Sequence, residues 1–193
     1  FIVAALILPG SKIELKNIAL NPTRIAFIQV LKNMGGKIRI KKTKNFSGED
    51  VGNIYVQYSF LKGVSIKSSQ APMLIDEYPI ISIAATQAKG KTTMKGLSEL
   101  RHKESDRVKS IVFNLKKLGF DVRNKGEDIY IKYKNVVISN TKEVKTYGDH
   151  RIAMSFSILK LIYGKNIKID DPSCISISYP EFNSHLKKLL VSN

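Results

Sequence analysis

The chain has one cysteine, Cys174, no tryptophan, and three histidines, at positions 102, 150 and 185, among its 193 residues. A lone cysteine cannot pair within the chain, which excludes a disulfide-stapled scaffold. An unpaired thiol suits a reducing compartment, so a cytoplasmic protein is expected. One Cys and three scattered His provide no metal-ligand spacing. There is no Gly-x-Gly-x-x-Gly, no Gly-x-x-x-x-Gly-Lys-Ser/Thr loop and no Gly-x-Ser-x-Gly elbow, so neither a dinucleotide fold, a P-loop nor a hydrolase elbow is indicated. No cofactor is therefore expected, and bound anions would be held by Arg, Lys and helix N-termini. The longest apolar stretch, Phe1 to Leu8, is far short of the roughly 20 residues of a membrane span. Without a basic leader or a start Met it does not read as a signal peptide. It reads as the back half of a buried helix. No Pro/Gly/Ser-rich linker divides the chain, so one domain over residues 1–193 is expected.

Acidic residues are scarce as well: 16 Asp plus Glu face 32 Lys plus Arg, a net charge of +16. Such an excess favours anionic partners. Only six of the basic residues are Arg, and Lys, Ile and Asn are abundant together. AT-rich coding gives the same pattern, and a Lys-rich surface is ordinarily just solvated. A hydrophobic content of 43% with 25% charged residues is globular composition and excludes disorder as the main state.

The chain repeats itself, and the repeat organises the rest. Apolar helices end near Gly10, Gly90 and Gly164, glycines suited to a left-handed helix cap. Each is followed by a short alternating strand around Ile13–Leu15, Thr92–Met94 and Ile167–Ile169, as a half-buried strand requires. A second helix then ends at Leu31-Lys-Asn-Met-Gly35, at Leu115-Lys-Lys-Leu-Gly119 and at Leu186-Lys-Lys-Leu-Leu190. Further strands are expected at Ile54–Tyr58, Ile129–Tyr133 and Val136–Ile138. The unit is helix, strand, helix, strand, strand, present about three times. The first copy is expected to lack its opening helix and the last its closing strands. Alternating elements with short connections predict an α/β (α+β) fold of layered helices and sheets.

Three polar stretches open helices. Leu100-Arg101-His102-Lys103-Glu104-Ser105-Asp106-Arg107 precedes the amphipathic helix Val108–Leu118. Ser105 or a neighbour can cap it, and Lys103 and Arg107, four apart, share a face if the helix starts early. Two cations at a helix N-terminus make an anion site, with Glu104 as an acid–base group; a solvated, salt-bridged turn is the plainer reading. Thr146-Tyr147-Gly148-Asp149-His150-Arg151 opens the apolar helix Ile152–Ile162. Asp149 can cap it, a histidine such as His150 is more often structural than catalytic, and the planar fork of Arg151 suits phosphate or carboxylate. Leu74-Ile75-Asp76-Glu77-Tyr78-Pro79 opens the buried helix Ile80–Ala88. There Asp76 is either a cap or a carboxylate on which burial and neighbouring cations compete. A fourth segment, Asn21-Pro22-Thr23-Arg24, opens the first copy's second helix, and Arg24 and Arg107 read as related positions.

The Lys103-Glu104-Ser105-Asp106-Arg107 run resembles the Lys-Glu-Ser/Thr-Asp-Arg signature of the EPSP synthase family. Asp149-His150-Arg151-Ile152-Ala153-Met154 resembles its Asp-His-Arg-x-Ala-Met signature, and Asn21–Arg24 and Ile75–Pro79 look like family segments in the right order. The resemblance implies two similar domains, each of three βαβαββ units with buried helices and outer sheets, around a cleft. It implies transfer of the enolpyruvyl group of phosphoenolpyruvate to shikimate 3-phosphate, with release of phosphate. This chain would be the C-terminal domain, with the N-terminal domain of the same enzyme as its partner in a monomeric full-length protein. By position, Asp76 matches the proton acceptor for the substrate hydroxyl and a contact to shikimate 3-phosphate. Lys103 matches the lysine at the reacting centre and touches both substrates. Glu104 matches a proton shuttle at the methylene of phosphoenolpyruvate. Arg107 and Arg151 match arginines that hold phosphoenolpyruvate, and His150 a histidine beside it.

Two departures stand out: Ile177 where some members have Lys, and Glu99 where some have Asn. A sister enolpyruvyl transferase acting on a UDP-sugar is similar in fold, though the Lys103–Arg107 run is not expected of it. A basic nucleic-acid-binding module would suit the charge, but aromatics are only 8% and Lys is spread along the chain. An interaction domain that has lost catalysis would not be expected to keep Asp76, Lys103, Glu104, Arg107 and Arg151 together.

Overall fold

A computed structural model describes residues 1–191, and its element order follows the repeat. The first copy is α1 (Ile2–Ile7), β1 (Lys12–Ala19), α2 (Pro22–Asn33), β2 (Lys37–Phe46) and β3 (Glu49–Gln57). The second is β4 (Ser65–Ile66), the short α3 (Ala71–Leu74), α4 (Tyr78–Thr86), β5 (Lys91–Met94), α5 (Arg107–Leu118), β6 (Asp121–Lys125) and β7 (Asp128–Lys132). The third is β8 (Lys142–Val144), α6 (His150–Tyr163), β9 (Ile167–Ile169) and α7 (Phe182–Val191). The apolar stretch Phe1–Leu8, read as the back half of a buried helix, is α1, with all six of its residues buried, so the first copy does have an opening helix.

Two expected features differ. Val136–Ile138 forms no strand: it has the alternation, with Val137 exposed and Ile138 buried. Its Ile138 carbonyl, however, accepts the side-chain amide of Asn166 at 2.6 Å instead of a ladder bond. Nor do Gly10 and Gly90 cap their helices. The caps are Leu8 and Gln87, and the glycines turn the chain a few residues later into β1 and β5.

The helices α1, α4 and α6 pack on one another at the centre. Ile81, Ile83, Ala84 and Ala85 of α4 and Ile152, Ala153, Phe156 and Leu159 of α6 are all buried. Helices buried on most sides carry no polar stripe, which is why these segments read as plain apolar runs. The sheets lie outside. One has the order β1-β3-β2, antiparallel; the second is β4-β5-β7-β6, with β4 parallel to β5 and the rest antiparallel; the third is the parallel pair β8-β9. The first two share one register. Val56 of β3 lies between Ile13 and Ile38, and Ile131 of β7 lies between Thr92 and Val122.

The second helices end alike. The Gly36 amide reaches the Leu31 carbonyl at 2.9 Å and the Phe120 amide reaches Leu115 at 3.0 Å. Gly35 and Gly119 take φ of +91° and +97° to allow this closure. This offset of 84 places Arg24 opposite Val108 and not Arg107. One residue turns an α-helix by about 100°, so Arg24 is exposed while Arg107 is buried.

Candidate functional site

The N-termini of α4, α5 and α6 converge on one cluster of charges with Arg107 at its centre. Arg107 is the first residue of α5 and only 1% exposed. Its Nε donates to Asp149 Oδ2 at 2.8 Å, Nη1 to Asp76 Oδ1 at 3.0 Å, and Nη2 to Glu104 Oε2 at 2.5 Å. Three carboxylates from three helix mouths thus meet one guanidinium. Burial works against its charge, but the bonds to Asp149, Glu104 and Asp76 outweigh that and hold the Arg107 pKa above its ordinary value.

Asp149 is fully buried and caps α6, accepting from the Arg151 and Ile152 amides at 2.9 and 3.3 Å. Burial pushes its pKa up; the Arg107 bonds, Ser105 and the Arg151 amide push it down and prevail. The cap expected of Asp149 is therefore present, and the same carboxylate also anchors Arg107. The start of α5 is capped by Asp106, whose Oδ1 accepts the Lys109 amide at 2.9 Å. Ser105 instead turns its hydroxyl to Asp149 Oδ2 at 3.0 Å.

Asp76 does not cap α4; no side-chain cap is made there. It gathers cations: Arg107 at 3.0 Å, Arg151 Nη2 at 3.5 Å and Lys103 Nζ at 3.9 Å. Lys103 and Arg107 do not share a helix face, because α5 begins only at Arg107. They meet through Asp76. Arg151 also donates through Nη1 to the Asp76 carbonyl at 3.0 Å and faces Glu77 Oε1 at 3.4 Å. Burial raises the Glu77 pKa, with Arg151 opposing. Beside Asp76, Glu77 and Arg151 opens an apolar hollow of about 270 Å³, lined among others by Phe27, Ile80, Met154, Tyr179 and Phe182.

Five of the six predicted site residues come together: Asp76, Lys103, Glu104, Arg107 and Arg151. His150 opens α6 half-buried, and among the described residues the hydrogen bonds of the cluster run through Asp149 and Arg151, its neighbours, rather than through it. Ile177 ends a 3-10 turn (Ser173–Ile177) and is 80% exposed, an uncharged side chain where some members have Lys. Glu99 lies exposed in the 3-10 turn Ser98–His102. Sequence reasoning did not anticipate Glu77 as a partner of Arg151, or Ser105 as a partner of Asp149. Adjacency to Asp76 and to the Lys-Glu-Ser-Asp-Arg run was the available signal.

The arrangement sets three cations, Lys103, Arg107 and Arg151, against carboxylates that differ in exposure. Asp76 and Glu104 retain 37% and 51% side-chain exposure beside cations. They are exposed enough to exchange partners, whereas the buried Asp149 cannot readily leave Arg107.

The sequence profile described as EPSP synthase (3-phosphoshikimate 1-carboxyvinyltransferase) matches residues 1–186. The 3-phosphoshikimate 1-carboxyvinyltransferases of Petrotoga mobilis and Persephonella marina are each 48% identical to it, over 189 and 191 residues. Each comparison covers 98% of this chain and 44% of the relative, so the chain spans less than half their length. The solved EPSP synthase of Acinetobacter baumannii superposes with a TM-score of 0.91 at 34% identity, over 97% of this chain and 44% of that one. The enolpyruvyl transferase NikO of Streptomyces tendae, at 13% identity and a TM-score of 0.62, shares the fold alone. With the two signatures converging on one charge cluster, and similarity running nearly the whole length, the chain belongs to the EPSP synthase family.

Proposed function

We propose that residues 1–193 form the C-terminal domain of an enolpyruvyl transferase. That enzyme moves the enolpyruvyl group of phosphoenolpyruvate to the 5-hydroxyl of shikimate 3-phosphate and releases phosphate. The observation that carries the reading is the Arg107 centre, where a buried guanidinium is ringed by Asp76, Glu104 and Asp149 with Lys103 and Arg151 beside them. A carboxylated, phosphorylated substrate needs bidentate cations, and the reaction needs a base for a hydroxyl and an acid for a methylene carbon.

In this reading Arg107 and Arg151 bind phosphoenolpyruvate, with His150 beside it. Substrate oxygens replace Asp76 and Glu104 at the Nη groups of Arg107, while Asp149 keeps Nε. Asp76 is then free to accept the proton of the substrate hydroxyl and to contact shikimate 3-phosphate. Glu104 delivers a proton to the methylene carbon, which makes the neighbouring carbon electrophilic, and takes a proton back from the resulting methyl group as phosphate leaves, restoring the carbon–carbon double bond of the enolpyruvyl product. Lys103, between the two substrates, stabilises charge as the carbon–oxygen bond forms and as phosphate leaves. The N-terminal domain of the same protein supplies the rest of the shikimate 3-phosphate contacts. Aromatic amino-acid biosynthesis in the cytoplasm is the setting implied by the family, and the unpaired Cys174 suits it.

The test is a coupled phosphate-release assay with both substrates, on the full-length protein and on this chain with and without a separately expressed N-terminal half. Activity in the full-length protein, restored by mixing the folded halves, is the expected result. No release from the full-length protein, folded and supplied with both substrates, would refute the substrate assignment.

A further inference from the structure

Lys103 and Glu104 lie in irregular chain between the Ser98–His102 turn and α5. Their side chains are a third to a half exposed, so burial does little to hold them where the reaction needs them. The segment is fastened from outside. Upstream, Leu97 and Leu100 are buried in the core. The Gly96 amide donates to Asp128 Oδ1 at 3.0 Å and the Leu97 amide to the Glu127 carbonyl at 3.1 Å, which ties this chain to the turn between β6 and β7.

Arg101 completes the fastening. Its Nη1 donates to Asp106 Oδ2 at 3.1 Å and its Nη2 to the Gly126 carbonyl at 3.0 Å. Both acceptors are themselves held: Asp106 by the Lys109 amide at 2.9 Å, and the Gly126 carbonyl by the Asn124 side-chain amide at 3.0 Å. One planar guanidinium therefore joins the two ends of the 101–106 segment and pins them to the β6–β7 turn. A lysine, with a single nitrogen, cannot span both acceptors in that plane.

We propose that Arg101 is a positioning residue, holding the Lys103–Glu104 segment against Asp76 and Arg107 by pinning it to the β6–β7 turn. The inference rests on the enolpyruvyl-transfer reading for its kinetic consequence, though the pin itself is a matter of geometry. The side-chain hydrogen bonds of Arg101 run to Asp106 and Gly126, so its effect on Asp76 and Arg107 passes through the chain it holds. A misplacement of about 1 Å at a reacting group costs on the order of 100-fold in rate. Loss of the pin should therefore appear in kcat more than in the KM for phosphoenolpyruvate, because Arg107 and Arg151 keep their own anchors.

The experiment compares full-length wild type, Arg101→Ala and Arg101→Lys. It measures kcat, KM, thermal midpoint and amide hydrogen exchange, with and without millimolar guanidinium ion. Expected for Arg101→Ala are faster exchange across residues 102–106, unchanged protection in α4 and α6, and kcat lowered roughly ten- to 100-fold. Guanidinium ion should restore part of that kcat in Arg101→Ala and not in Arg101→Lys. Unchanged exchange across 102–106 would overturn the proposal, as would wild-type kcat, or a kcat loss that guanidinium leaves untouched and that tracks a lowered thermal midpoint. If wild type itself releases no phosphate, the substrate reading falls, while the exchange comparison still decides whether Arg101 pins the segment.

Discussion

Arg107 and Asp149, 42 residues apart in sequence, meet in the core with Nε donating to Oδ2 at 2.8 Å, neither side chain more than 1% exposed. Arg107 thus has a fully buried partner at Nε and partly exposed carboxylates, Asp76 and Glu104, at its outer nitrogens. Removing either half of such a buried pair leaves an uncompensated charge, at about 3–5 kcal/mol. Arg107→Ala should therefore lose stability of that order in urea unfolding of the full-length protein, as well as activity. An Arg107→Ala protein as stable as wild type would mean that the pair is more hydrated than the geometry shows.

Arg151 separates binding from folding more cleanly, because its side chain is partly exposed. Arg151→Ala should weaken phosphoenolpyruvate binding by about 1.5–3 kcal/mol, the range for hydrogen bonds to charged groups, with a smaller effect on shikimate 3-phosphate. Titration calorimetry with each substrate would measure both. Equal losses for the two would contradict the assignment of Arg151 to phosphoenolpyruvate.

Glu104 is cast as the group that moves a proton to carbon. Glu104→Gln keeps an acceptor for Arg107 and removes the titrating carboxyl. The expected result is a fall in kcat of about 10²–10⁴-fold, the usual contribution of a general acid–base group, with little change in substrate affinity. Single-turnover kinetics would show it in the chemical step; a normal rate there would remove Glu104 from that role.

The acid side of the stability profile tests Asp149. Its folded pKa lies below its ordinary value, so its contribution is present above the unfolded value near pH ~4 and lost as pH falls through the folded one. Asp149→Asn retains a capping oxygen and loses that charge. The stability gap between wild type and Asp149→Asn should be widest at neutral pH and should narrow on acidification below about pH 4. Glu77 carries the opposite sign. Its folded pKa is raised by burial, so it costs stability once pH exceeds that value, and the cost fades as pH falls toward the unfolded one. Glu77→Gln should accordingly be more stable than wild type at neutral pH and lose that advantage in acid. Urea midpoints across pH 3 to 8, a range chosen to bracket both groups, would read both signs.

Much of the architecture is local and was legible. The three repeats, the buried run at α4 and the amphipathic α5 follow from periodicity and glycine spacing. So do the helix mouths that carry Asp76, Lys103–Arg107 and Asp149–Arg151. The misreadings were also local: Val136–Ile138 has the alternation of a strand but no ladder, and Arg24 falls one residue away from the Arg107 position in the repeat. Alternation and repeat spacing describe which side chains could face inward, and neither tells which backbone finds a neighbour.

The sequence by itself determined the family, through two signatures in order, and the types of residue at each helix start. Only the tertiary structure decided the partnerships: that Asp76 gathers cations instead of capping α4, that Asp149 caps α6 and anchors Arg107 at once, and that Arg101 reaches the β6–β7 turn. The physical reason is separation. Arg151 and Asp76 stand 75 residues apart, and no local propensity links such positions. They become neighbours because packing α4 against α6 brings the two helix starts together, and beside them the buried Arg107 and Asp149 must pair because desolvated charges cannot stand alone.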